Sequence, residues 1–189
     1  MKNKIKILLT GATGYIGQNL TRHLLLNHDV DILVRPNSNV KLFDDINRKI
    51  NIFSHDASTS HMIKIIEKSK PNIIIHLASF SLHEHKIEDV ENIINSNILF
   101  GAQILEAMSI NKIKYFINTG TYWQHFENSD FEPTCLYASS KQAFQDILKY
   151  YVASSDLKAI TLKLFDTYGP NDKRDKIFRV LSNAIYNKK

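Results

Sequence analysis

The sequence predicts an α/β fold, a doubly wound parallel sheet with helices on both faces. Two observations carry that expectation. Short apolar runs of strand length alternate along the chain with helix-length segments, the order that builds βαβ units. The first strand is joined to the first helix by a glycine turn, Thr10-Gly-Ala-Thr-Gly-Tyr-Ile-Gly17, which holds three of the six glycines in the chain. No internal repeat or low-complexity linker interrupts the alternation.

Taken in order, Lys4 to Leu9 reads as a strand and Gln18 to Leu26 as the helix after the glycine turn. Asp29 to Arg35 is a second strand, closed by Pro36 and Asn37-Ser-Asn39. Ile50 to Phe53 is a weaker third. Ser58 to Ser69 carries Met62, Ile65 and Ile66 at helical spacing, with Thr59 or Ser60 as its cap. Ile73 to Leu77 is a buried strand introduced by Pro71-Asn72. Ile87 to Ile110 is a long helix by periodicity, carrying Ile93, Ile94, Ile104, Leu105 and Met108. Tyr115 to Asn118 is a strand, Leu136 to Ala153 a helix, Ala159 to Phe165 a strand and Lys176 to Tyr186 a last helix.

At 189 residues, 43% hydrophobic and 23% charged, the composition is that of a soluble globular domain with a sizeable core. No apolar run approaches bilayer-spanning length, and the N-terminal run is too brief for a signal peptide, so no membrane is expected. A lone Cys135 forms no internal disulfide, which makes the cytoplasm the default compartment. The net charge of +5 comes from scattered lysines and arginines. The densest group, Lys173-Arg-Asp-Lys176, is diluted by Asp172 and Asp175, so nucleic acid is not the expected partner. His83-Glu-His85 lacks a third ligand nearby and is not read as a metal site.

Three features point to chemistry. Gly11, Gly14 and Gly17 are one residue wider at the first step than the Gly-x-Gly-x-x-Gly dinucleotide fingerprint, and they open a helix whose first N–H groups can face a diphosphate. Arg35 ends the second strand twenty-one positions after Gly14, where an acid would hold an adenosine ribose and an arginine a 2′-phosphate. Asp31 lies four residues earlier, inside the strand, so NADP is favoured over NAD. Tyr137 and Lys141, at i and i+4, share one helix face, where a phenol and an ammonium can act together in acid–base exchange at a carbonyl. Thr121, in Thr119-Gly-Thr121, adds a hydroxyl at the carboxyl end of a strand. Tyr122 and Trp123 could stack on a base or sugar, or pack over the loop.

Together these motifs resemble the extended short-chain dehydrogenase/reductases, the NAD(P)-dependent sugar epimerase/dehydratase family, over nearly the whole chain. The resemblance implies a Rossmann-type domain over 1–170, with 171–189 the start of a substrate lobe that is otherwise missing. It implies cofactor contacts from Gly11, Thr13, Gly14, Tyr15, Ile16 and Gly17. Arg35, Asp56 and Ala57 would add to these, with Asp56 at the adenine, and so would Leu77, Ala78, Ser79 and Asn97. Thr121, Tyr137 and Lys141 match the active-site trio: Lys141 would bond the nicotinamide ribose and depress the Tyr137 pKa, Tyr137 would exchange the proton, and Thr121 would orient the sugar oxygen. Lys163-Leu-Phe-Asp-Thr-Tyr-Gly-Pro170 resembles the family's Arg-x-x-Asn-Val-Tyr-Gly-Pro signature, with Lys and Asp in place of Arg and Asn. Within the family the chain looks most like CDP-hexose 4-ketoreductases of the abequose/paratose synthase kind, which make sugars for bacterial surface polysaccharide. A nucleotide-sugar substrate is therefore implied, and a homodimer through the helices at 87–110 and 136–153. A 4-epimerase or dehydratase using NAD, or a dinucleotide-binding module without catalysis, are the alternatives.

Overall fold

The computed structural model describes residues 4–170, 172–174 and 176–186. Of the segment expected beyond 170, residues 171, 175 and 187–189 lie outside the described residues, as does Asp175 of the basic group. Six strands form one parallel sheet: β1 (Lys6–Thr10), β2 (Asp29–Val34), β3 (Ile50–Ser54), β4 (Ile73–His76), β5 (Tyr115–Thr121) and β6 (Lys158–Leu164). Their order is β3-β2-β1-β4-β5-β6, so the chain winds outward from β1 to one edge and then from β4 to the other. The direction reverses between β1 and β4, the switch point at which such sheets bind ligands.

Among the described residues five helices complete the layers: α1 (Tyr15–Leu24), α2 (Thr59–Ser69), α3 (Ile87–Ile110), α4 (Leu136–Ser154) and α5 (Ile177–Tyr186). Strand side chains alternate between faces, so each strand feeds two cores. Leu8, Leu33, Ile74 and Phe116 pack with Met62 and Ile66 of α2, Ile104 and Met108 of α3, and Phe144 and Leu148 of α4. Ile7, Leu9, Ile32, Val34 and Ile75 pack on the other face beneath Leu20 and Leu24 of α1 and Phe43 of a short 3₁₀ turn.

α3 is long and apolar enough to cross a bilayer, but half of its apolar window is buried inside the molecule. Its apolar side is thus the core side of a helix packed on a sheet. It is not uniform: a 3₁₀ turn at Ile87–Asp89 leads into α-helix, and Asn95–Leu99 forms a π turn.

Several boundaries differ from those expected. Ser58 caps α2, its hydroxyl accepting from His61 N–H, in place of Thr59 or Ser60. β5 runs on to Thr121, because its pairing with β6 continues to Thr121 opposite Leu164. α1 starts at Tyr15, three residues before Gln18, so the second and third glycines cap and open the helix.

Candidate active site

The glycine turn is fitted against the end of β4. Gly11 has φ +70°, and a Cβ there would stand 2.6 Å from the Ala78 nitrogen; at Gly17 it would stand 2.2 Å from the Gly11 oxygen. Only glycine serves at these two positions. The Thr10 hydroxyl accepts from Ala78 N–H and bonds His76 Nδ1, fixing residues 77–79 beside the turn. No side chain caps the N-terminus of α1 behind Gly14, so its first-turn N–H groups remain available to an anion.

A two-armed groove straddles this turn. The arm toward β2 and β3, about 630 Å³, is lined by Thr13, Arg35, Ser38, His55, Ala57, Ala78 and Gln103 among others. The arm toward β5 and β6, about 390 Å³, is lined by Tyr15, Ile16, Gly17, Ser81, Thr121, Trp123 and Tyr137 among others. Gly11, Gly14, Leu77 and Ser79 border both. A glycine turn between two cavities is the layout that a molecule with a central diphosphate requires.

In the larger arm Arg35 is exposed at the tip of β2, its N–H donating to the Ser38 hydroxyl. His55 follows β3 on the adjacent strand and stacks on Phe100, ring centroids 4.5 Å apart. Ala57 N–H donates to its Nδ1, and burial holds its pKa below the ordinary value. Asp56, expected at the adenine, does not line either arm. Its carboxylate accepts from the Ser58 N–H and hydroxyl, which hold its pKa down, and it pairs with His61. Asp31 is likewise spent elsewhere, on Lys6, Asn51 and Ser69.

Tyr137 borders the smaller arm at the start of α4, and Lys141, one helical turn on, lines neither arm. Lys141 is 1% exposed and its Nζ has no hydrogen-bond partner. Burial, and then the charge of Lys163, bring its pKa down to about 8. A buried ammonium without acceptors is costly, and ribose hydroxyls would supply them, so the site fits a nicotinamide nucleotide.

Tyr137 departs from the expected depression. Burial pushes its pKa up, and hydrogen bonds with Ser79, Ser81 and Thr121 only partly offset this. Thr121 Oγ1 accepts from Trp123 N–H, which leaves the Thr121 proton free to donate. Trp123 stands edge-on to Tyr137, centroids 6.1 Å apart, with His83 against its other side at 5.2 Å. His83 lines neither arm of the groove; among the described residues no group of His, Cys, Asp and Glu is assembled that could hold a metal.

Asn97 is fully buried and lines neither arm. It bonds Phe80 through both backbone groups and donates to the Ser140 hydroxyl, so it ties the 79–81 segment to the helix that carries Lys141. From the far side, Arg174 lies over the Tyr15 ring at 4.6 Å, held by Asp172 and Thr167. Asp166 pairs with Lys176.

Ser38, His55 and Ser81 were not anticipated. For Ser81 a signal exists: Ser79 and Ser81 are two apart directly after β4, the spacing that puts two hydroxyls on one side of extended chain.

Residues 7–189 match the NAD dependent epimerase/dehydratase family. Among curated relatives, a CDP-abequose synthase from Salmonella muenchen is 28% identical over 186 residues, covering 96% of this chain and 60% of the relative. A dTDP-D-glucose 4,6-dehydratase from Dictyostelium discoideum is 26% identical over 211 residues, covering 97% and 49%. The chain therefore spans about half to three fifths of the length of these relatives. Its fold matches that of the Bordetella bronchiseptica enzyme WbmG in complex with NAD, with TM-score 0.82, 17% identity and coverage of 100% of this chain and 61% of that one. It also matches a Thermus thermophilus UDP-glucose 4-epimerase in complex with NAD, with TM-score 0.81, 22% identity and coverage of 95% and 61%. The glycine turn at the switch point, the two-armed groove and the sequence match lead to one conclusion: the chain belongs to the NAD dependent epimerase/dehydratase family.

Proposed function

We propose that this chain is an NADP-dependent reductase of the 4-keto group of a nucleotide-activated, CDP-linked deoxyhexose, acting in the cytoplasm in bacterial surface-polysaccharide sugar synthesis. One observation carries the reading: Thr121 and Tyr137 border the groove arm next to the glycine turn, and the buried Lys141, its Nζ without a hydrogen-bond partner, stands one helical turn from Tyr137. Lys141 would bond the nicotinamide ribose, Tyr137 would give its proton to the sugar oxygen, and Thr121 would orient that oxygen. Bound there, reduced nicotinamide would supply the hydride, while the protein supplies position and electrostatics. Arg35, with Ser38 beside it, supports NADP, because a guanidinium can grip a 2′-phosphate that a carboxylate would repel. The CDP-deoxyhexose assignment is supported by similarity to the CDP-abequose synthases.

Trp123 is the only tryptophan and lines the reactive arm. NADPH binding is therefore expected to quench its emission by energy transfer to the dihydronicotinamide. Tyr137→Phe should keep that quenching and abolish ketosugar reduction; equal turnover in the variant refutes the assigned role. Arg35→Asp should move the preference from NADPH toward NADH, and an unchanged ratio of dissociation constants refutes the NADP assignment. A second reading, an NAD-dependent 4-epimerase or dehydratase, is favoured by structural neighbours solved with NAD. Tightly held NAD in the purified protein would select it.

A further inference from the structure

The larger arm of the groove is one-sided in charge. Among the described residues that line it there is no Asp or Glu, and its two ionisable groups, Arg35 and His55, can carry only positive charge. They are neighbours by construction. Arg35 and His55 follow directly on Val34 and Ser54, which pair across β2 and β3, and His55 N–H donates to the Val34 carbonyl at 3.2 Å. Asp31 and Asp56, the acids closest to them in the chain, are bonded to other groups, and among the described residues no carboxylate pairs with Arg35. Cations gathered on one wall without a counter-ion suit an anionic ligand.

His55 is also held in place to donate. Gln103 of α3 donates to the Ala57 carbonyl at 2.7 Å, and Ala57, at φ +65°, donates its N–H to His55 Nδ1 at 3.2 Å. Phe100, also of α3, stacks on the ring. With Nδ1 taken as an acceptor, the neutral ring carries its proton on Nε2 and keeps that N–H to give. Ser38 is arranged alike: its oxygen accepts from Arg35 N–H, so its own proton is free. Guanidinium, imidazole and hydroxyl are thus three donors on one arm. A ribose 2′-hydroxyl has a proton of its own and finds no carboxylate there to take it, whereas a 2′-phosphate is acceptor throughout.

We propose that His55 is a direct donor to the 2′-phosphate beside Arg35 and Ser38, and so a residue that sets the preference for NADP. The inference deepens the NADP reading and rests on it. It assigns to the end of β3 a part in choosing between the two nucleotides, not only in seating the adenosine that both share.

The test measures the dissociation constants of NADPH and NADH by calorimetry with the full chain, comparing wild type, His55→Phe and His55→Gln. Phenylalanine keeps a ring on Phe100 and removes both nitrogens; glutamine keeps an N–H donor. His55→Phe should weaken NADPH about ten-fold and leave NADH within about two-fold, which also shows the variant folded. His55→Gln should fall between wild type and His55→Phe for NADPH, with NADH again unchanged. An unchanged NADPH constant in His55→Phe overturns the inference. So does an equal loss of both nucleotides in His55→Gln, which would put His55 on a part they have in common. In both cases a wild-type preference for NADPH leaves the NADP reading standing. A wild type that binds NADH as tightly as NADPH overturns that reading, and the role of His55 with it. No ketosugar is needed, so the result is independent of turnover.

Discussion

His76 closes β4 with its ring entirely inside the protein, bonded to Thr10 and ringed by Phe100, Phe116 and Phe144 at centroid distances of 5.5 to 5.8 Å. Burial, and then the charge of Lys141, bring its pKa down to about 3. The folded value lies below the unfolded one, so between pH 6.5 and 3 the unfolded chain holds a proton that the folded chain refuses. Stability from this group is present above pH 6.5 and is lost as pH falls, at about 1.4 kcal/mol per pH unit for one proton. His55, also depressed, acts in the same direction. Urea unfolding of His76→Asn at several pH values between 4 and 6.5 should give a shallower dependence on pH than wild type, whatever its stability at neutral pH. An identical slope removes His76 from the account. At this scale, the strand end and the helix start place Thr121 and Tyr137 on one groove arm, as their spacing suggested, while Lys141, one turn from Tyr137, lines neither arm. Asp56 and Asn97 were not legible in their roles. A carboxylate beside Ser58 and an amide in a π turn find partners set by the fold, and no local pattern announces them.

Among the elements, α3 does most to shape the groove. Its π turn turns Asn97 inward to brace the 79–81 segment, while Asn95, Ser96, Leu99 and Phe100 face the larger arm. Such turns recur at functional sites because the extra residue redirects side chains over one turn. One turn later α3 meets α4 at Gly101, where a Cβ would lie 2.3 to 2.7 Å from three ring atoms of Phe144. Helix propensity alone favours alanine there by about 1 kcal/mol. Phe144 is fully buried between sheet and helices, however, and overpacking such a ring costs roughly 1–3 kcal/mol. Gly101→Ala should therefore lower the melting temperature by about 2–4 °C, and adding Phe144→Leu should recover part of the loss. A rise in melting temperature from Gly101→Ala would show that propensity outweighs the ring. The type and order of the elements were readable from apolar periodicity, but the π turn and the Gly101–Phe144 seat were not. Periodicity reports which side of a helix is apolar, and neither a change of helical pitch nor the depth of a neighbour alters it.

For the whole molecule, the two ends of the sheet are unequal. The cores form over β1, β2, β4 and β5, whereas β6 is an edge strand with Ile160 55% and Leu162 43% exposed on one face. α5 buries none of its residues and leaves Ile177, Phe178, Leu181 and Ile185 exposed. An apolar edge strand and an exposed apolar helix favour pairing with a second molecule, since they offer both unpaired backbone groups and surface to bury. The net charge of +5 opposes that approach only weakly once salt screens it. Light scattering after size exclusion should therefore give a mass that rises with protein concentration. Lysines at 160 and 162, which blunt an edge by charge, should shift it toward the monomer without moving NADPH binding, because neither residue borders the groove. A second apolar surface competes for the same outcome: Val90, Ile94 and Leu99 of α3 with Tyr150 and Val152 of α4 are also exposed. If the mass stays above that of a monomer in the double-lysine variant, association runs through those helices, and the edge-strand account fails. A monomer at every concentration removes both.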